Sequence, residues 1–280
     1  MKPNLVFDIG VHVGDDAAHY LHSGYNVVGV EANPFLAAQC ARRFENEIRN
    51  GRMILINAGV LKEPGQFSFY RNLLDDSWSS FVPQRGKKKG EWETMSVLCV
   101  TTKQLIAEHG VPYFMKVDIE GADFQVLHTL VTAIAPAYIS LELNCEDPII
   151  ESLIELGFNS FKFVDGETYW PTTPIFDHEI GWRILRKAGR LFPPIRSAIG
   201  DLPQRLRPKS EWNPVGRFSP GDYQFTSYSS GPFGEQAAGS WMPPSAALRW
   251  FDIFKENLRR ARARDAMWFD VHARHSSTRQ

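Results

Sequence analysis

The chain has 280 residues, 43% of them hydrophobic and 22% charged. That balance excludes disordered and fibrous proteins and suits one large α/β domain, with room for an insertion. Its net charge of −1 conceals an acidic region, residues 1–182 with 14 Lys/Arg against 24 Asp/Glu, followed by a basic one, residues 183–217 with 9 against 2, whose field favours anionic partners.

In chain order, Asn4–Asp8 reads as a buried strand, Asp15–His22 as a helix, Asn26–Glu31 as a second strand and Pro34–Arg49 as a helix opened by a preorganised proline. Met53–Asn57 follows as a third strand. Short connections between alternating strands and helices predict a mostly parallel, doubly wound sheet covered on both faces. Gln66–Arg71 and Thr94–Val100 interrupt this pattern as two strands around a loop with "DDSWSS" and the run Lys87–Lys89, an antiparallel excursion expected at a sheet edge. The lysine run reads as a solvated loop.

Alternation resumes with helix Thr102–His109, strand Tyr113–Asp118, helix Asp123–Thr132, strand Tyr138–Leu143, helix Pro148–Leu156 and strand Ser160–Val164. Residues 1–165 thus form a core. Residues 166–245 are rich in Pro, Gly, Ser, Arg and Trp and read as an irregular basic insertion or lid, with a basic helix predicted at Gly181–Phe192. Residues 246–280 complete the core: Leu248, Phe251, Phe254 and Leu258 mark one helix face, and Met267–Ala273 alternates as a closing strand.

No apolar run approaches the ~20 residues that span a bilayer. The chain opens on a strand-like segment and not a leader, so a cytoplasmic protein is expected. Cys40, Cys99 and Cys145 are too far apart for a disulfide framework or a thiolate zinc site and predict reduced thiols.

In a doubly wound sheet, ligands lie beyond the carboxyl ends of the strands where strand order reverses. Asp8, Glu31, Asp118 and Glu142 all fall at or beside such ends. The first turn, Gly10-Val-His-Val-Gly14, lacks the glycine spacing that cradles a dinucleotide pyrophosphate, and Asp8 would repel one. An ammonium-bearing ligand with a neutral ribose fits better: Asp8 faces positive charge, the glycine amides approach a carboxylate, and Glu31 accepts from both ribose hydroxyls. S-adenosyl-L-methionine has those parts. Asn33, two residues past Glu31, is counted with this set.

The stretches "VFDIGVHVGDDAAHYLHSGYNVVGVEANP", "INAGV", "PYFMKVDIEGADFQVL" and "YISLELN" resemble the FkbM-type methyltransferases over about residues 4–165. The most specific element is K-x-D-I-E-G at Lys116–Gly121. "SGPFGEQAAGSW" and "WFDVHA" resemble the tail of some members. The resemblance implies the Rossmann-like class I fold, S-adenosylmethionine as cofactor, Asp8, Gly10, Gly14 and Glu31 as cofactor contacts, and Asp118 and Glu120 at the reaction centre. Where many members carry His after the glutamate of "LLEIH", this chain has Asn144 after Leu143.

Family members often modify hydroxyls, frequently of sugars. A sugar hydroxyl attacks well only when a carboxylate or His takes its proton, which makes Asp118 the candidate base and Glu120 and Glu142 its orienting partners. The plain structural alternatives are a helix cap for Asp118, a pair with Lys116 for Glu120 and a structural strand end for Glu142. His12 and His19 beside the turn suit packing or capping. Asp118, Glu142 and a neighbour such as Asp147 are compatible with a divalent metal, which the spacing does not require. The basic insertion, with Arg186, Lys187 and Arg190 foremost, is the candidate acceptor site, for a small-molecule or saccharide acceptor with anionic groups. No aromatic-basic signature for nucleic acid is present. Two other readings stay open: a nicotinamide-dependent oxidoreductase, and a non-catalytic scaffold binding an anionic partner.

Overall fold

The computed structural model describes residues 1–144, 146–165, 223–226, 229–237, 239–261 and 269–278. The predicted helix Gly181–Phe192 and the cations Arg186, Lys187 and Arg190 lie outside them.

Lys2–Ile9 forms β1, longer at both ends than its apolar run because β2 (Asn26–Glu31) and β7 (Pro112–Val117) pair with it in parallel on either side. With β3 (Met53–Asn57), β8 (Tyr138–Glu142), β9 (Phe158–Asp165) and β10 (Phe269–His275), these strands make a seven-stranded sheet of order β3-β2-β1-β7-β8-β10-β9. Only β10 runs antiparallel to its neighbours, β8 and β9. Strand order reverses between β1 and β7, so the crevice opens there.

The register decides which side chains meet. Val6 lies beside Val27 and Phe114, and two residues further on Asp8 lies beside Gly29 and Lys116, with Ser140 next in the row. Because strand side chains alternate with period two, Glu31, Asp118 and Glu142 continue this same face beyond that row. The opposite face carries Phe7, Val28, Met115 and Ile139, packed against α5 (Thr102–His109), α6 (Asp123–Leu127), α7 (Ile149–Glu155) and α8 (Pro244–Ala261) through Leu105, Val126, Leu153 and Phe251.

The face bearing Asp8 is covered by α1 (Asp15–His22) and α2 (Pro34–Arg43), and by residues returning from the stretch read as an insertion. Phe233 stacks on Phe114 with centroids 3.9 Å apart. Lys162, buried on β9, donates to the Gly234 carbonyl at 3.2 Å and the Ala237 carbonyl at 2.7 Å, which satisfies an ammonium in an apolar cover. Ser229 and Ser230 bond to Asp16. The described part of 223–242 therefore belongs to the packed core.

Three elements depart from expectation. The helix at 34–49 breaks at Phe44 into α2 and α3 (Glu45–Arg49), because the Phe44 ring turns inward against Gly14, where a Cβ would come within 2.4 Å of it. The helix at 123–132 stops at Leu127, before the β-branched Thr129, Val131 and Thr132. The excursion is a separate three-stranded sheet of order β4-β6-β5, formed by β4 (Gly59–Val60), β5 (Gly65–Asn72) and β6 (Trp92–Val100), with the short helix α4 (Pro83–Gly86) in its loop. Cys40 and Cys99 are buried free thiols.

Candidate active site

A cleft of about 1100 Å³ opens at the carboxyl ends of β1, β2, β7 and β8. Gly10, Val11, His12, Glu31 and Ala32 form one wall, Asp118, Glu120 and Glu142 its floor, and Ser77, Trp78, Gln84, Arg85 and Lys88 of the excursion the far wall.

The turn from Gly10 to Gly14 is held by backbone hydrogen bonds. Gly10 N–H donates to Val30 O at 2.9 Å and Gly14 N–H to Val11 O at 2.9 Å, so these amides are engaged within the protein and do not stand open as the sequence reading supposed. Gly10 has φ 88°, and a Cβ there would lie 1.9 Å from the Asp118 carbonyl, so only glycine lets β1 and the end of β7 approach this closely. Gly14 starts α1 with φ 88° and lies behind the cleft wall.

Glu31, 7% exposed, accepts from His12 N–H and Asn33 N–H at 2.8 Å each. Burial still pushes its carboxyl up to about 7 against those bonds. Asn33 is fully buried; its side chain caps α2 by accepting from Phe35 N–H at 3.0 Å and donates to Asp76 at 3.3 Å. It is therefore placed as a cap behind the cleft wall.

Asp8 is also fully buried, and neither carboxylate oxygen has a hydrogen-bond partner. Its nearest cation is Lys116 Nζ at 3.7 Å. Burial raises Asp8 to about 7, with Lys116 opposing and Asp16, Asp118 and Glu31 adding to the rise. Lys116, 3% exposed, also lies 3.1 Å from Asp16 and 3.3 Å from Asp118. Burial works against its charge, yet Asp118, Asp16 and Asp8 together hold it well above the usual lysine range. The sequence offered Glu120 as the partner of Lys116; in the structure Lys116 serves three aspartates, and Glu120 faces Arg85 at 3.7 Å. Asp16 escaped the sequence reading, although a carboxylate in the first turn of a helix leaving the glycine turn was its visible signal.

The loop after β7 is pinned by Asp123, whose carboxylate accepts from Ile119 N–H at 3.0 Å and Gly121 N–H at 2.9 Å. Between them Glu120 sits at φ 53°, a strained conformation for a non-glycine residue, and its carbonyl accepts from Ser80 Oγ at 2.7 Å. Asp118, Glu120 and Glu142 bring carboxylate oxygens within 4.8 Å of one another. Burial, then the neighbouring carboxylates, raise Glu120 well above the usual range and Glu142 to about 8, with Arg85 opposing both. Two carboxyls pushed upward beside a third carboxylate make a candidate acid–base set.

As a donor set for a divalent ion, the trio is Asp118, Glu120 and Glu142. Asp147 is engaged by Asn144, whose Nδ2 donates to it at 2.7 Å. His12 lies on the cleft wall with φ 53°, whereas His19 is buried among Tyr20, Tyr223 and Phe225.

The methyltransferase FkbM domain model matches residues 8–165, more than half of the chain. The chain belongs to the FkbM methyltransferase family. This FkbM protein is a methyltransferase enzyme of the class I, Rossmann-like α/β fold, and its family implies use of S-adenosylmethionine. Glu31 at the tip of β2 lines the cleft and suits that cofactor's hydroxyl parts, whereas the Asp8 carboxylate, without a hydrogen-bond partner, is fully buried behind the lining residues. A comparison with curated proteins finds no match. Among solved structures, a precorrin-6y C5,15-methyltransferase from Geobacter metallireducens GS-15 is similar over 61% of this chain and 72% of its own, with 11% identity and a TM-score of 0.32. The [4+2]-cyclase SpnF is similar over 97% and 75%, with 10% identity and a TM-score of 0.35. No described helix of the FkbM protein is long and apolar enough to cross a membrane.

Proposed function

We propose that this protein methylates a hydroxyl oxygen of a sugar or glycan precursor, with S-adenosyl-L-methionine as donor. The observation that carries the reading is the convergence of Glu31, at the tip of β2, and the trio Asp118, Glu120 and Glu142 on one cleft at the switch point.

The cofactor supplies a methyl carbon bound to a sulfonium. Glu31 accepts both ribose hydroxyls with the lone pairs left over after its two backbone bonds. Asp8 provides the buried counter-charge for the cationic end, behind the turn that Gly10 brings close and from which Gly14 launches α1. Asp118, aimed by Lys116, takes the acceptor's proton as the oxygen–carbon bond forms and the carbon–sulfur bond breaks. Glu120 and Glu142, whose carboxyls burial pushes upward, orient the acceptor. Most of the acceleration comes from holding the oxygen in line with the methyl carbon in a walled cleft.

Mass spectrometry of glycans and nucleotide sugars from host cells with and without the protein tests this reading. A species heavier by one CH2 only when the protein is present supports it, and a methylated peptide or nucleic acid in its place would overturn it.

A further inference from the structure

The excursion grips Glu120 from both ends. The Glu120 carbonyl accepts from Ser80 Oγ at 2.7 Å, and its carboxylate lies 3.7 Å from Arg85 Nη1. Arg85 is also seated on the next residue, where a Cβ on Gly121 would come within 3.2 Å of its Nε. Asp123 holds the N–H groups on either side, those of Ile119 and Gly121. A non-glycine residue stays at φ 53° only where its surroundings over-determine it, and two of the groups that do so here, Ser80 and Arg85, come from the excursion.

The excursion is itself braced to present these two side chains. Ser80, 1% exposed, exchanges backbone hydrogen bonds with Tyr70 at 3.0 and 2.9 Å, and its Oγ accepts from Val82 N–H at 2.9 Å while it donates to Glu120. Its hydroxyl is thus spent in both directions. Asn72, fully buried, donates through Nδ2 to the carbonyls of Gly86, Lys88 and Lys89 at 3.2, 2.6 and 3.2 Å, and its Oδ1 accepts from Leu74 N–H and Asp75 N–H at 2.9 and 3.0 Å. One side chain therefore clamps both halves of the excursion loop. Gly86, the residue after Arg85, packs so tightly on Tyr70 that a Cβ would approach its atoms to 2.5 Å. Lys87 turns away, its Nζ 4.7 Å from the Tyr70 ring and 4.2 Å from that of Trp92, whereas Arg85 and Lys88 line the cleft.

We infer that Ser80 and Arg85 are positioning residues of the methyl-transfer centre and act through Glu120: Ser80 fixes its backbone, and Arg85 aims its carboxylate at Asp118 and Glu142. This deepens the methyl-transfer reading above and rests on it. Arg85 also lies 3.9 Å from Glu142, so one guanidinium sets two members of the trio relative to each other. A strained turn released at either end relaxes and carries its side chain with it, and a displacement of about 1 Å at a reaction centre can cost about 10²-fold in rate.

The test uses the full chain, S-adenosylmethionine tritiated on its methyl group, and a small-molecule extract of host cells lacking the protein as the acceptor source. Ser80→Ala and Arg85→Gln should each lower the maximal rate at least about ten-fold, with the KM for S-adenosylmethionine and the calorimetric affinity for S-adenosylhomocysteine within about two-fold of the parent. Arg85→Lys, which keeps the charge, should recover part of the loss. Each change is then combined with Glu120→Gln. Groups that work through one residue are not additive, so either change should slow the Glu120→Gln protein by less than about two-fold more. Losses that multiply in the double variants overturn the inference, as do parent-like rates in Glu120→Gln or in both single variants. A rate loss matched by equal losses of S-adenosylhomocysteine affinity and melting temperature overturns it too, since that is general damage. Should Ser80→Ala not fold, Arg85→Gln, whose side chain is 37% exposed, carries the same cycle. If the parent transfers no label, the methyl-transfer reading falls and takes this inference with it; if it transfers label and the losses multiply, only the positioning role falls.

Discussion

Lys116 Nζ lies 3.3 Å from the carboxylate of Asp118, which follows it by two residues, just past the end of β7. Within the same buried site it also meets Asp16 at 3.1 Å and Asp8 at 3.7 Å. A single ammonium thus ties β1, the first turn of α1 and the end of β7.

Lys116→Met should lower stability by about 3–5 kcal/mol, the cost of leaving buried charge without its partner. Without the cation, which opposes the rise of Asp8, that carboxyl binds its proton more tightly in the folded state, so the loss should grow as pH rises and shrink in acid. Urea unfolding at several pH values checks this; a pH-independent loss would reduce Lys116 to a packing role.

Asp118→Asn preserves shape and removes basicity. Turnover should fall about 10²–10⁴-fold, the range of a positioned general base, while cofactor affinity changes little. Single-turnover kinetics with a competent acceptor decides it, and undiminished turnover would leave Asp118 a structural acid.

Glu31→Ala should weaken cofactor binding by about 1.5–3 kcal/mol through lost bonds to the ribose. It also strands the N–H groups of His12 and Asn33, so Glu31→Gln, which keeps an acceptor, should destabilise the fold less while still losing affinity. Calorimetry and thermal melts on the two variants separate ligand contact from turn support.

Burial raises Asp8 from 3.8 and Glu31 from 4.5, each to about 7. The folded chain therefore holds protons that the unfolded chain has released, so stability from these groups is full below about pH 4 and is lost as pH rises through about 7. A cationic ligand favours the ionised carboxylates, so cofactor affinity should climb with pH and level off above about 7. Asp8→Asn should flatten part of both profiles. Identical profiles in parent and variant would remove Asp8 from the cofactor's electrostatics.

Asn72→Ala removes the clamp on the excursion and leaves buried backbone groups unpaired, at a cost of about 1–3 kcal/mol. Trypsin should then cut at Lys87–Lys89 faster than in the parent, with cofactor affinity retained. Unchanged cleavage would mean that β5 and β6 hold the loop without Asn72.

The class of fold and the strand tips were legible in the chain itself, because apolar runs of strand length alternating with amphipathic helices leave few arrangements other than a parallel sheet covered on both faces. Each run ending in a carboxylate, at Asp8, Glu31, Asp118 and Glu142, marked the ligand end of that sheet. Tertiary structure decided what those acids face. The pairing of Asp8 with Lys116 is a register between strands more than a hundred residues apart, and local spacing carries no information about it. It is also tertiary structure that spends Asn33 on a helix cap, sets Glu120 beside Arg85, and turns Lys88 inward while Lys87 turns out. Each of these outcomes depends on which buried polar group finds a partner once the sheet and the excursion have closed around it.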